Sequence, residues 1–103
     1  MKIVAAALLD DYLEHGAYVI DLRPRDEYVR VHVKGAVNIP EDEIEEQMNR
    51  LPRRTVIVLY CERGTLSIAV GRRLSHAGFS IVSINGGIQA YHGRYLERRK
   101  YPQ

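Results

Sequence analysis

Apolar and polar positions along this chain fall into blocks that switch between strand and helix spacing. The run Val56-Ile57-Val58-Leu59-Tyr60 reads as a strand buried on both faces, and it stops at Cys61. Glu62, Arg63, Gly64, Thr65 and Leu66 lack strand character. From Ser67 the helical spacing takes over, with Leu66, Ala69, Val70, Leu74 and Ala77 as its apolar positions and Gly78 closing it. The pattern therefore places Cys61 in a loop between a central strand and the start of a helix.

The flanking segments repeat the alternation. Residues 2–4 predict a short edge strand, and residues 5–13 a helix with Leu8, Leu9, Tyr12 and Leu13 inward, ended by His15 and Gly16. A buried strand follows over 18–22, then a short helix over 25–31 with Pro24 suited to its first position. Residues 36–39 form a strand stopped by Pro40. Asp42 and Glu45 have the spacing of a capping box for a helix running to Leu51, with Ile44, Met48 and Leu51 on one side. The last strand spans 79–84, Gly86 and Gly87 turn the chain, and a final helix is predicted over 88–99, carrying Ile88, Tyr91 and Tyr95 on one face as packing residues. Strands alternating with helices imply an α/β domain with a mostly parallel sheet and helices on both faces.

Composition narrows the class. A chain of 103 residues with 46% hydrophobic content suits one globular domain. The formal charge is only +2 and the basic residues are scattered, which argues against a nucleic-acid partner; the basic cluster Arg98-Arg99-Lys100 reads as a complement to the final helix dipole. No stretch approaches the roughly twenty apolar residues that span a bilayer, so no membrane partner is expected. The apolar start of the chain is cut short by Asp10 and Asp11 and is needed for the first helix, so it reads as fold rather than as a secretory leader. A single cysteine gives neither an internal disulfide nor a metal-ligand cluster, and the expected compartment is the reducing cytoplasm.

The chemistry gathers at Cys61. Ligands collect beyond the carboxyl ends of parallel strands, and a helix amino terminus offers unpaired N–H groups with partial positive charge. Arg63, two residues away, adds a cation to the same neighbourhood, and the expectation is a nucleophilic Cys61. Gly64 frees the loop to curl around the sulfur and aim several N–H groups at it. Asp21 and Arg23, at the end of the second strand, read as a structural ion pair. His32 could only be a base for Cys61 if the fold brought the two together, and it reads as packing. His15, His76 and His92 sit near predicted helix ends, as capping or solvated residues.

Cys61-Glu62-Arg63-Gly64-Thr65-Leu66-Ser67 resembles the active-site loop of the rhodanese (thiosulfate sulfurtransferase) family. Two further stretches agree: Val19-Ile20-Asp21-Leu22-Arg23 with Glu27-Tyr28 and His32-Val33-Lys34-Gly35-Ala36-Val37-Asn38-Ile39-Pro40, and Ile84-Asn85-Gly86-Gly87-Ile88-Gln89-Ala90-Tyr91. The resemblance implies a rhodanese-like sheet of five strands in the order 1-5-4-2-3. It also implies Cys61 as the catalytic nucleophile, a substrate-binding loop of Glu62, Arg63, Gly64, Thr65, Leu66 and Ser67, and no cofactor. The implied partners are a small-molecule sulfane-sulfur donor and a thiol or protein acceptor. Glu62 and Leu66 depart from the family pattern in a way that should weaken thiosulfate binding and favour a persulfide donor. Of the competing readings, a phosphatase or arsenate reductase would need an arginine where Ser67 stands. A silent binding module would more usually lack the cysteine, and a redox sensor would need an external resolving thiol.

Overall fold

The computed structural model describes residues 1–99. A five-stranded parallel sheet forms its centre, built from β1 (Lys2–Ala5), β2 (Tyr18–Asp21), β4 (Val37–Asn38), β5 (Ile57–Tyr60) and β6 (Ile81–Asn85) in the order β1-β6-β5-β2-β4. Counted along the chain as first to fifth, these strands have the order the family resemblance implies. A separate two-stranded antiparallel ribbon joins β3 (Val31–Val33) to β7 (Leu96–Arg98).

β5 occupies the middle of the sheet because all four of its residues are apolar enough to be buried on both faces. Their side chains alternate. Val58 and Tyr60 join Val19, Val82, Ile84 and Leu9 in one core layer. Ile57, Leu59 and Cys61 face the other way, toward Ile20, Leu22, Val70 and Leu74. In-register pairing of Val19 with Val58 and of Val58 with Val82 continues each layer across the sheet. The helix α4 (Thr65–His76) covers the second layer with Val70, Gly71 and Leu74 buried, while α1 (Leu9–Glu14) lies over the first through Leu9.

Three expectations change. The segment 88–99 is not a helix: after a 3-10 turn over Gly87–Ala90 the chain extends at Tyr91 and continues into β7, whose partner β3 was not expected, its first residue Val31 having been placed at the end of a helix. Tertiary bonding outweighs the helical spacing here. Tyr91 lies over Gly93, where a Cβ would come within 2.5 Å of its ring and hydroxyl. The Tyr91 hydroxyl donates to Asp10 Oδ1 at 2.6 Å and accepts the Tyr95 N–H at 3.0 Å. Burial, followed by the Asp10 carboxylate, pushes this phenol up to about 12, so it stays a donor. Arg98 and Arg99 therefore complement no helix dipole, and Lys100 lies outside the described residues.

Leu8, expected inward, is exposed because residues 6–8 form a 3-10 turn ahead of α1, and only Leu9 of the pair reaches the core. The capping box is also absent. Glu41–Glu43 form a 3-10 turn, the short α3 (Ile44–Gln47) begins after Glu43 without a side-chain cap, and Met48–Arg50 tighten into 3-10 geometry again. Ile44, Met48 and Leu51 nevertheless pack on the second core layer as the spacing required.

The ribbon is tied to the sheet through Tyr60, whose hydroxyl accepts the Val33 N–H at 3.0 Å; both residues are fully buried. Removing that acceptor leaves a buried donor without a partner. Tyr60→Phe is expected to lose about 1–3 kcal/mol of stability in urea denaturation, and an unchanged midpoint would show the bond to be dispensable.

Candidate active site

Cys61 follows the last residue of β5 and is 4% exposed. Its sulfur lies at the floor of a loop that reverses direction at Gly64, where φ is +98°. That left-handed turn is open to glycine, and it swings the Gly64 N–H to within 3.1 Å of Sγ. The Ser67 N–H, in the first turn of α4, reaches the same atom at 3.4 Å. Of the 62–67 loop, these two amides donate to the sulfur. Anionic charge on Cys61, or on an atom attached to it, meets oriented donors and the positive end of a twelve-residue helix.

Two layers of support fix this shape. Inside the loop, the Ser67 hydroxyl donates to the Gly64 carbonyl at 3.1 Å and shares a 2.7 Å hydrogen bond with Ser83, both serines fully buried. Behind the loop lies the Gly86–Gly87 turn. The Ile88 N–H donates to the Cys61 carbonyl at 2.9 Å and the Gln89 N–H to the Glu62 carbonyl at 3.1 Å. With these two carbonyls held from behind, the succeeding amides are free to face the sulfur. The approach is too close for side chains: a Cβ on Gly87 would lie 2.5 Å from the Cys61 carbonyl oxygen, and one on Gly64 would lie 2.8 Å from the Gly86 nitrogen. Gly86 and Gly87 have positive φ of 77° and 62°.

The expected ion pair is present and extends further than the sequence indicated. Arg23 bonds Asp21 Oδ2 at 2.9 Å, both buried, and also donates to the Val31 carbonyl. Its other terminal nitrogen reaches Glu62 Oε1 at 3.3 Å, and the Gln89 amide donates to Glu62 Oε2. Glu62 is thus held by two elements that meet at the Cys61 loop. The Gln89 hydrogen bond first, and Arg23 next, hold its carboxyl below the ordinary 4.5.

Arg23, Pro24, Glu27, Cys61, Glu62, Arg63, Thr65 and Leu66 line a cleft of about 380 Å³ at the mouth of the site. Cys61, Glu62, Arg63, Thr65 and Leu66 of the predicted loop share this lining, while Gly64 and Ser67 meet the sulfur through their N–H groups: Arg63 and Thr65 are exposed at the rim, and Leu66 is partly buried against the second core layer. His32 stands outside this lining. It stacks on Tyr28 with ring centroids 4.0 Å apart, its Nδ1 lies 2.8 Å from the Tyr28 carbonyl, and its Nε2 is 3.3 Å from Glu97 across the ribbon. Ser83 borders the loop and was not singled out in the sequence, although it stands as a polar residue inside the apolar run of β6; Gln89 and Glu27 stood in the stretches that carry the resemblance, without a role assigned to them.

With this geometry in hand, the comparisons with known proteins are specific. The family model for the rhodanese-like domain matches residues 5–94, and the chain belongs to that family. It is 33% identical over 81 residues to the tRNA sulfurtransferase of Desulfurococcus amylolyticus, spanning 79% of this chain and 16% of that protein. It is 33% identical over 72 residues to the thiosulfate sulfurtransferase PspE of Escherichia coli, spanning 68% of this chain and 69% of that one. The crystal structure of a rhodanese-related protein from Thermoplasma volcanium superposes with a TM-score of 0.82 at 30% identity, covering 88% of this chain and 90% of the other. Among the described residues no helix is long and apolar enough to cross a membrane.

Because the folded-state carboxyl of Glu62 is lowered, the stabilisation from its tether is complete above pH 4.5 and is lost as the pH falls through the folded value. The stability difference between the native chain and Glu62→Gln is expected to be constant above that pH and to shrink below it. A pH-independent difference in urea midpoints would contradict the tether.

Proposed function

We propose that this protein is a sulfurtransferase that carries sulfane sulfur as a persulfide on Cys61. The observation that supports the reading best is the pair of N–H groups from Gly64 and Ser67 directed at Sγ from the loop and the first turn of α4. They are donors set for charge on sulfur, in the manner of an oxyanion hole.

In the first half-reaction the Cys61 thiolate attacks the outer sulfur of a persulfide or thiosulfate donor. A new S–S bond forms, the donor's S–S bond breaks, and its electron pair departs with a thiolate or with sulfite. The enzyme is left as a Cys61 persulfide whose terminal sulfur lies in the field of the loop amides. In the second half-reaction an acceptor thiolate attacks that terminal sulfur, a persulfide leaves on the acceptor, and the Cys61 thiolate returns. Cyanide would serve as an acceptor in an assay. No external oxidant or reductant enters, and the two steps follow ping-pong kinetics.

The mouth shapes donor preference. Glu62 puts a carboxylate on the cleft wall, and Pro24 and Leu66 make much of the remainder apolar. Arg63 at the rim offers a cation to a compact dianion such as thiosulfate, whereas the apolar wall can be used only by a carbon-bearing persulfide. The working donor is a small-molecule persulfide, and the acceptor is a thiol, free or on a protein. The reducing cytoplasm suits both the free thiolate and these reactants.

The test is intact mass of the reduced protein after exposure to glutathione persulfide and, separately, to thiosulfate, alongside Cys61→Ser. The expected result is a gain of about 32 Da with the persulfide donor, less of it with thiosulfate, reversed by cyanide and absent from the variant. Folded protein with a free thiol that takes sulfur from neither donor would overturn the reading and leave a binding module.

A further inference from the structure

A second cleft, of about 310 Å³, is lined by Arg23 and Glu62 but not by Cys61. The two clefts share those residues as their common wall. One side of this trough is the β3–β7 ribbon, which brings Arg30 and Arg98 together, since Val31 pairs with Arg98 and Arg30 immediately precedes it. The facing side is the turn after β6, with Gln89, Tyr91 and His92.

Its charge is unbalanced. Arg23 is occupied by Asp21 and Glu62, and the Glu62 carboxylate is satisfied by Arg23 and Gln89. Arg30 and Arg98 are both exposed, and among the described residues neither forms an ion pair. The two guanidiniums come from different elements, one from the end of the helix Arg25–Arg30 and one from β7, and each offers the planar N–H fork that pairs with a carboxylate.

Resting on the sulfurtransferase reading, we propose that this trough seats the carboxylate-bearing end of the small-molecule thiol carrier whose sulfur enters the Cys61 cleft, with Arg30 and Arg98 as its specificity determinants. A ligand crossing the shared wall would place its anionic end among the free arginines and its sulfur beside Cys61.

The test uses binding, so that it is independent of sulfur uptake by Cys61. The ¹⁵N-labelled chain is titrated with S-methylglutathione, whose thioether cannot react, and with its diethyl ester. Saturable amide shifts are expected at Arg30, Val31, Gln89, His92 and Arg98, with affinity at least tenfold lower for the diester and for an Arg30→Glu/Arg98→Glu variant. The milder Arg30→Gln/Arg98→Gln pair is expected to weaken binding in the same direction. Non-saturable shifts, or equal affinity for the diester or for the variants, would overturn the trough assignment. Failure of Cys61 to gain sulfur in the mass experiment would overturn the sulfurtransferase reading while leaving this binding result intact.

Discussion

The contact on which the site depends is backbone against backbone: the Gly86–Gly87 turn pressed under the Cys61 loop. Two N–H groups from the turn hold the Cys61 and Glu62 carbonyls, at 2.9 and 3.1 Å. The separations leave no room for a Cβ at Gly87 or Gly64. A loop that must present several amides to one sulfur has to turn its carbonyls away, and those carbonyls need donors once they are buried. The glycine turn meets that need. It ends β6, while the loop begins at the end of the neighbouring β5, so the parallel pairing of these two central strands delivers both halves of the contact.

Polar groups at the same end of the sheet link the loop to the periphery. Asp21, at the end of β2, fixes Arg23; Arg23 reaches Glu62 and the Val31 carbonyl at the start of the ribbon. Gln89 closes the ring from the glycine turn. Breaking such a buried pair by removing one partner exposes an uncompensated charge to a low-dielectric interior, a cost of about 3–5 kcal/mol. The two clefts are thereby held in fixed relation by a single cation. The family match spans residues 5–94, and the first of the sulfurtransferase relatives is about six times as long as the segment it shares with this chain.

Much of this architecture was legible in the residues. The strand ending at Cys61, the helix that follows and the need for glycine between them all come from short-range pattern, because they depend on burial and backbone freedom within about fifteen residues of chain. The pairing order came through the family resemblance. Periodicity failed at residues 88–99, where three apolar side chains at helical spacing meant less than Gly93, the Tyr91–Asp10 hydrogen bond and the pairing with Val31–Val33. The last two are contacts between segments some eighty and sixty-odd residues apart, which no local window contains. The role of Gln89 was hidden for the same reason, whereas Ser83 stood out as a hydroxyl in an apolar strand and could have been read as a partner for the loop.

The most direct measurement of the central claim is amide hydrogen exchange at Gly64 and Ser67 in the native chain and in Gly87→Ala. If the glycine turn shapes the sulfur cradle, a methyl group there forces the loop away, and both amides exchange faster while those of Val58 and Leu59 in β5 keep their protection. Equal protection of Gly64 and Ser67 in the two proteins would mean that the cradle holds its shape without the turn, and would contradict the account.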